Sequence, residues 1–99
     1  MVHVIITFTI DPANSLEDVK GIIQEFIVAI RQNEPDTLLY RSFQEMERPY
    51  HFYHIMTFVN AEAQQLHRDS TYCSHFVKQL YPLCIEAPVA KSLAEIPPI

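Results

Sequence analysis

Residues 50–59, YHFYHIMTFV, carry aromatic, β-branched or other bulky side chains at both parities. Tyr50, Phe52, Met56 and Phe58 alternate with His51, Tyr53, Ile55 and Val59. Successive side chains of a strand point to opposite faces, so a sheet built around this segment needs cover on both sides. Two helices on one face do not supply that much cover. A chain of 99 residues builds one small core and little more, so the second layer comes either from tight wrapping or from another chain.

The rest of the pattern is consistent with a single domain over residues 1–99. Val2, Val4, Ile6, Phe8 and Ile10 alternate with His3, Ile5, Thr7 and Thr9, a first strand with one wholly apolar face. The turn DPANS follows, with Ser15 as N-cap and Asp18 three residues on as a variant capping box. Leu16, Val19, Ile22, Ile23, Phe26, Ile27 and Ile30 then recur at helical spacing. Gly21 lies inside this helix at a cost of about 1 kcal/mol relative to Ala, which close backbone packing would account for. Pro35 ends the helix and biases Glu34 away from helical angles.

Two strands are expected over 37–46 and 50–59, paired antiparallel through ERP. Asn60 caps a short helix to about Asp69, Ser70 or Thr71 caps a further helix through Tyr81, and residues 86–95 form a weaker last strand. This is an α+β chain of β-α-β-β-α-β order with a split second helix, a ferredoxin-like arrangement.

Composition removes several function classes. The net charge of −5, from 12 acids and 7 scattered bases, gives no footprint for a phosphate backbone, so no nucleic-acid partner is expected. The apolar start MVHVIITFTI is too short for a membrane span and lacks the basic region of a leader. No membrane partner is expected, and a soluble cytoplasmic protein is. Cys73 and Cys84 stand about 16 Å apart if the segment between them is helical, beyond the roughly 7 Å that a disulfide tolerates. Free thiols are expected, with Cys73 acting as a small hydrophobe.

The chemistry concentrates in QQLHRDSTYCSHF, residues 64–76. Ala63, Leu66, His67 and Ser70 fall at i, i+3, i+4 and i+7, which puts His67 on the inward stripe. A structural account has its imidazole bonded to a backbone carbonyl or to the Ser70 hydroxyl at the helix break. A functional account has it open on a pocket between helices and sheet, where an imidazole accepts a proton near neutral pH. His51 and His54 fall on opposite strand faces and cannot share an ion, and His75 lies off the apolar stripe. No metal site is expected.

Phe58, Ala63, His67, Ser70 and Phe76, with the order of elements and with Tyr40 in the second strand, give a chain that resembles the antibiotic biosynthesis monooxygenase family. Two positions differ from the family's pattern: Met56 stands where members often carry Glu, and Tyr72 where many have a second histidine. The resemblance implies a homodimer, a dimeric α+β barrel with two sheets packed face to face. It also implies a monooxygenase that uses no cofactor, neither flavin, haem nor metal, because an electron-rich aromatic or quinol substrate itself supplies the electrons to dioxygen. His67 would then be the catalytic base and Tyr72 an orienting donor, with Tyr40, His54, Met56, Phe58, Ser70 and Phe76 around the substrate. Tyr72 also has an ordinary core reading, since it repeats with Phe76, Leu80 and Leu83 at helical spacing. A non-catalytic dimer that binds a small molecule or serves as an assembly module is the alternative. A haem-degrading role ranks last, because that branch carries Trp where this chain has His67.

Overall fold

The computed structural model describes residues Met1–Ile99. The first strand, β1 (Val2–Thr9), leads to helix α1 (Leu16–Asn33), then to strands β2 (Thr37–Gln44) and β3 (His51–Phe58). Helices α2 (Ala61–Asp69) and α3 (Thr71–Leu80) follow, then a single 3-10 turn at Tyr81–Leu83 and the short strand β4 (Val89–Leu93). All strand pairs are antiparallel, in the order β2-β3-β1-β4. This is the α+β ferredoxin-like fold that the sequence pattern predicts.

The helix starts and stops follow local chemistry. The Ser15 hydroxyl accepts from the Asp18 N–H at 3.3 Å and Asn60 accepts from Ala63 N–H at 2.8 Å, satisfying donors that a helix start leaves free. Ser70 takes extended angles between α2 and α3. Its hydroxyl accepts from Cys73 N–H and donates to the His67 carbonyl, so one side chain caps both helices.

The core lies between one sheet face and the helices. Val19, Ile23, Phe26 and Ile30 of α1 are buried against Val4, Phe8, Phe52, Met56 and Phe58. In β3 burial alternates strictly, with Phe52, His54, Met56 and Phe58 buried and the residues between them half-buried. The opposite face carries Ile5 across from Ile55 and Thr7 across from Tyr53, and none of these four is fully buried.

Three expectations need correction. Gly21 is exposed, and a Cβ placed on it would meet nothing within 4 Å, so close packing does not account for it. Leu66 is 58% exposed, because the short helix α2 turns only Ala63 and His67, one turn apart, into the core. The last strand is shorter than 86–95, confined to Val89–Leu93, and exposed at every residue.

Candidate active site

Pro35 disfavours helical angles at the residue before it, and Glu34 leaves the helix at φ −125°, ψ 78° while its N–H still bonds the Ile30 carbonyl. That corner carries the Glu34 side chain into the interior, where it is 1% exposed. A buried carboxylate is tolerable only when its oxygens are satisfied. Thr37 donates to Oε1 at 2.6 Å and Tyr72 donates to Oε2 at 2.5 Å. His67 Nδ1 faces both oxygens, at 3.0 and 3.1 Å.

The structural account of His67 drawn from sequence therefore needs correction: its ring partner is a carboxylate 33 residues earlier, while Ser70 bonds only the His67 backbone carbonyl. An ionised carboxylate only accepts hydrogen bonds, so Nδ1 carries a proton in this arrangement. The neutral ring then keeps its lone pair on Nε2, which has no hydrogen bond within the protein. The carboxylate fixes the orientation of the imidazole and leaves Nε2 free.

Two adjoining cavities meet at His67. The outer one, about 270 Å³ and partly open, lies between α2, α3 and the sheet, with Val4, Ile6, Met56 and Phe58 below and Gln64, Arg68 and Cys73 around it. The inner one, about 50 Å³, is bounded by Phe8, Phe26, Tyr40, His54, Phe76 and Leu80. His67, Ile6, Cys73, Val77 and Tyr81 line both. The aromatic walls are ordered: Phe26 stacks on Phe76 at 4.1 Å and meets Tyr40 edge-on at 5.5 Å.

The inner end holds a second polar pair. The Tyr40 hydroxyl lies 2.7 Å from His54 Nδ1. Burial lowers the His54 pKa to about 4 and raises that of Tyr40 well above the phenolic value, so near neutral pH a neutral imidazole faces an intact phenol. Burial, with the negative charge of Glu34, also raises the Cys73 thiol, which keeps it a poor nucleophile.

Of the residues singled out in the sequence, Met56 and Phe58 line the outer cavity, and Tyr40, His54 and Phe76 the inner one. Ser70 lines neither and acts as the double cap. Tyr72 also lies off both cavities: its ring lines a groove between α1 and α3, and its hydroxyl reaches Glu34. Burial, and then that hydrogen bond, push its pKa up to about 12. Glu34 itself is invisible to motif reading. Its one sequence signal is that an acid at a helix C-terminus opposes the helix dipole and so calls for a tertiary partner.

The model of the antibiotic biosynthesis monooxygenase family matches residues 1–79. The chain belongs to this family. Solved structures agree in fold. One crystal structure of an antibiotic biosynthesis monooxygenase superposes with a TM-score of 0.89 at 22% identity, covering 98% of this chain and 100% of that one. A candidate member from Caulobacter crescentus gives 0.88 at 18% identity, covering 97% and 90%. Another from Deinococcus radiodurans gives 0.82 at 20% identity, covering 100% and 98%. A comparison with curated proteins finds no match. As a member of the antibiotic biosynthesis monooxygenase family, this chain has Met56 on the wall of the outer cavity, and the carboxylate beside its histidine comes from Glu34, at the end of α1.

Proposed function

We propose that the protein is a cofactor-independent monooxygenase of a small electron-rich aromatic or quinol, with His67 as general base. The observation that carries this reading is the hydrogen bond from His67 Nδ1 to Glu34, which leaves Nε2 unpartnered on a largely apolar cavity. About 150 Å³ accommodates a benzene-sized guest, and the outer cavity is about 270 Å³.

In this reading Nε2 takes the proton of a substrate hydroxyl, and Glu34 stabilises the imidazolium formed. The phenolate is rich enough in electrons to pass one to dioxygen. Recombination of the radical pair forms a ring C–O bond and, after proton return, a hydroperoxide. Loss of water across its O–O bond leaves a carbonyl. For a quinol the balance is one quinol and one dioxygen giving one hydroxyquinone and one water, with all four electrons supplied by the substrate. The apolar wall of the outer cavity, with Val4, Ile6, Met56, Phe58 and Val77, holds a flat ring and keeps water from the intermediates.

A homodimer is part of the proposal. Ile5, Ile55 and Tyr53 lie on the sheet face away from the helices and are only half-buried in the single chain, and a second sheet packed there would cover them.

Oxygen uptake measured with a panel of hydroquinones tests the activity. The expected result is turnover by the wild type and its loss in His67→Ala. No uptake with any member of the panel, or equal uptake by the variant, removes His67 from the role of base.

A further inference from the structure

Arg68 has no task in the reaction just described. It stands in the last turn of α2 beside His67, and the two line the outer cavity together. None of the residues around that cavity is acidic, and Arg68 is the one with a fixed positive charge. Its guanidinium takes part in neither of the salt bridges within the chain. The acid next to it, Asp69, accepts instead from the Gln65 amide at 2.9 Å.

A cation in the last turn of a helix complements the macrodipole, but any outward face of that turn would serve for this. The side on which Arg68 lies is the further fact. Burial and then Glu34 raise the Cys73 thiol, and the charge of Arg68 pulls it back down, so the guanidinium lies within electrostatic reach of a cysteine on the cavity wall. Gln64, four residues earlier on α2, lines the same cavity, and side chains at this spacing are neighbours on a helix surface. Arg68 is exposed and Gln64 half-buried, so an incoming ligand meets both without any part of the fold moving.

We propose that Arg68, assisted by the Gln64 amide, binds a carboxylate on the substrate at the mouth of the outer cavity. This rests on the oxygenase reading for the body of the ligand and narrows its class to aromatic acids. The planar guanidinium offers paired N–H donors that match the two oxygens of a carboxylate, and the Gln64 side chain adds another. With the carboxylate held beside Arg68, the ring lies on the apolar wall of Val4, Ile6, Met56 and Phe58, next to His67. In a chain of net charge −5, this local cation is what admits an anion. Arg68 is thus a specificity residue, which separates acids from neutral aromatics of the same shape.

Anaerobic calorimetry with 2,5-dihydroxybenzoate and with 2,5-dihydroxybenzamide, its neutral counterpart of similar size, tests the site without depending on turnover. The expected result is the acid bound about tenfold or more tightly than the amide by the wild type. The ratio should fall to about one in Arg68→Gln, and Arg68→Lys, which keeps the charge and loses the fork, should lie between them. In the wild type, the Arg68 Nε–H resonance should move with the acid and stay in place with the amide, so the outcome holds even if a variant fails to fold. Equal affinities, binding of neither probe, a preference that survives in Arg68→Gln, or an unmoved resonance overturns the proposal. An Arg68-dependent preference with no oxygen uptake on either probe removes the oxygenase reading and keeps the carboxylate site. Oxygen uptake with equal affinities for acid and amide does the reverse.

Discussion

His67 Nδ1 lies 3.0 Å from one carboxylate oxygen of Glu34 and 3.1 Å from the other, joining the end of α1 to the last turn of α2. If the carboxylate orients and stabilises the base, Glu34→Gln keeps the volume but removes the negative charge facing the imidazole and replaces one accepting oxygen by an NH2 donor. The expected fall in kcat is about 10²–10⁴-fold, with the far-ultraviolet circular dichroism unchanged. An unchanged kcat would leave Glu34 as a structural clamp only.

Tyr72 separates the two roles of this cluster. Its hydroxyl donates to Glu34 while its ring lies off the cavities, so Tyr72→Phe removes one of three hydrogen bonds to the carboxylate and nothing that touches substrate. Urea unfolding should show a loss of about 1–2 kcal/mol, with kcat reduced far less than in Glu34→Gln. A kcat loss equal to that of Glu34→Gln would mean that the phenol itself takes part in the proton transfer.

Gly21 offers a test free of the site. It is exposed, has helical angles with no positive φ, and has open space where a Cβ would sit. Gly21→Ala should stabilise the protein by about 1 kcal/mol through helix propensity. A loss of stability on thermal or urea unfolding would point to a contact on this face that the isolated chain does not make.

Much of the fold was legible because periodicity reports burial. The alternation in β1 and the stripe of α1 marked the faces that became the core, and Ser15, Asn60 and the Ser70–Thr71 pair marked the helix starts by their capping chemistry. The burial of His67 was legible for the same reason, since it stands one turn from Ala63 on the buried side of α2. Its partner was not, because Glu34 reads as a solvated acid beside a proline, and only the tertiary packing of the end of α1 against α2 and α3 brings Tyr72 and His67 to the carboxylate that Thr37 already meets locally. Likewise His54 interrupts an apolar face visibly, but its bond to Tyr40 depends on the register that sets Tyr40 opposite Met56 and Ser42 opposite His54.

The uncovered sheet face predicts how the chain associates. Ile5 and Ile55 are direct cross-strand partners at the centre of that face, so burial against a second sheet would remove both from water, and a lysine there would carry its charge into the interface. Sedimentation should show the wild type at twice the chain mass and Ile55→Lys at the chain mass. A wild type that sediments as a single chain at micromolar concentration would leave this face to solvent and overturn the barrel proposal.

The buried histidine also sets an acid limit. Burial lowers the His54 pKa in the folded protein to about 4, against about 6.5 in an unfolded chain. Between these values the unfolded chain binds a proton that the folded one does not, so stability rises with pH across the window. The contribution is fully present above pH 6.5 and is lost as the pH falls toward 4, amounting to on the order of 3 kcal/mol. His54→Gln does not titrate and keeps an acceptor for the Tyr40 hydroxyl. Urea unfolding at a series of pH values should therefore show the wild type losing stability more steeply than this variant between pH 6.5 and 4. Parallel curves would mean that His54 binds its proton equally well in the folded and unfolded chains, and so that its ring is hydrated in the native state.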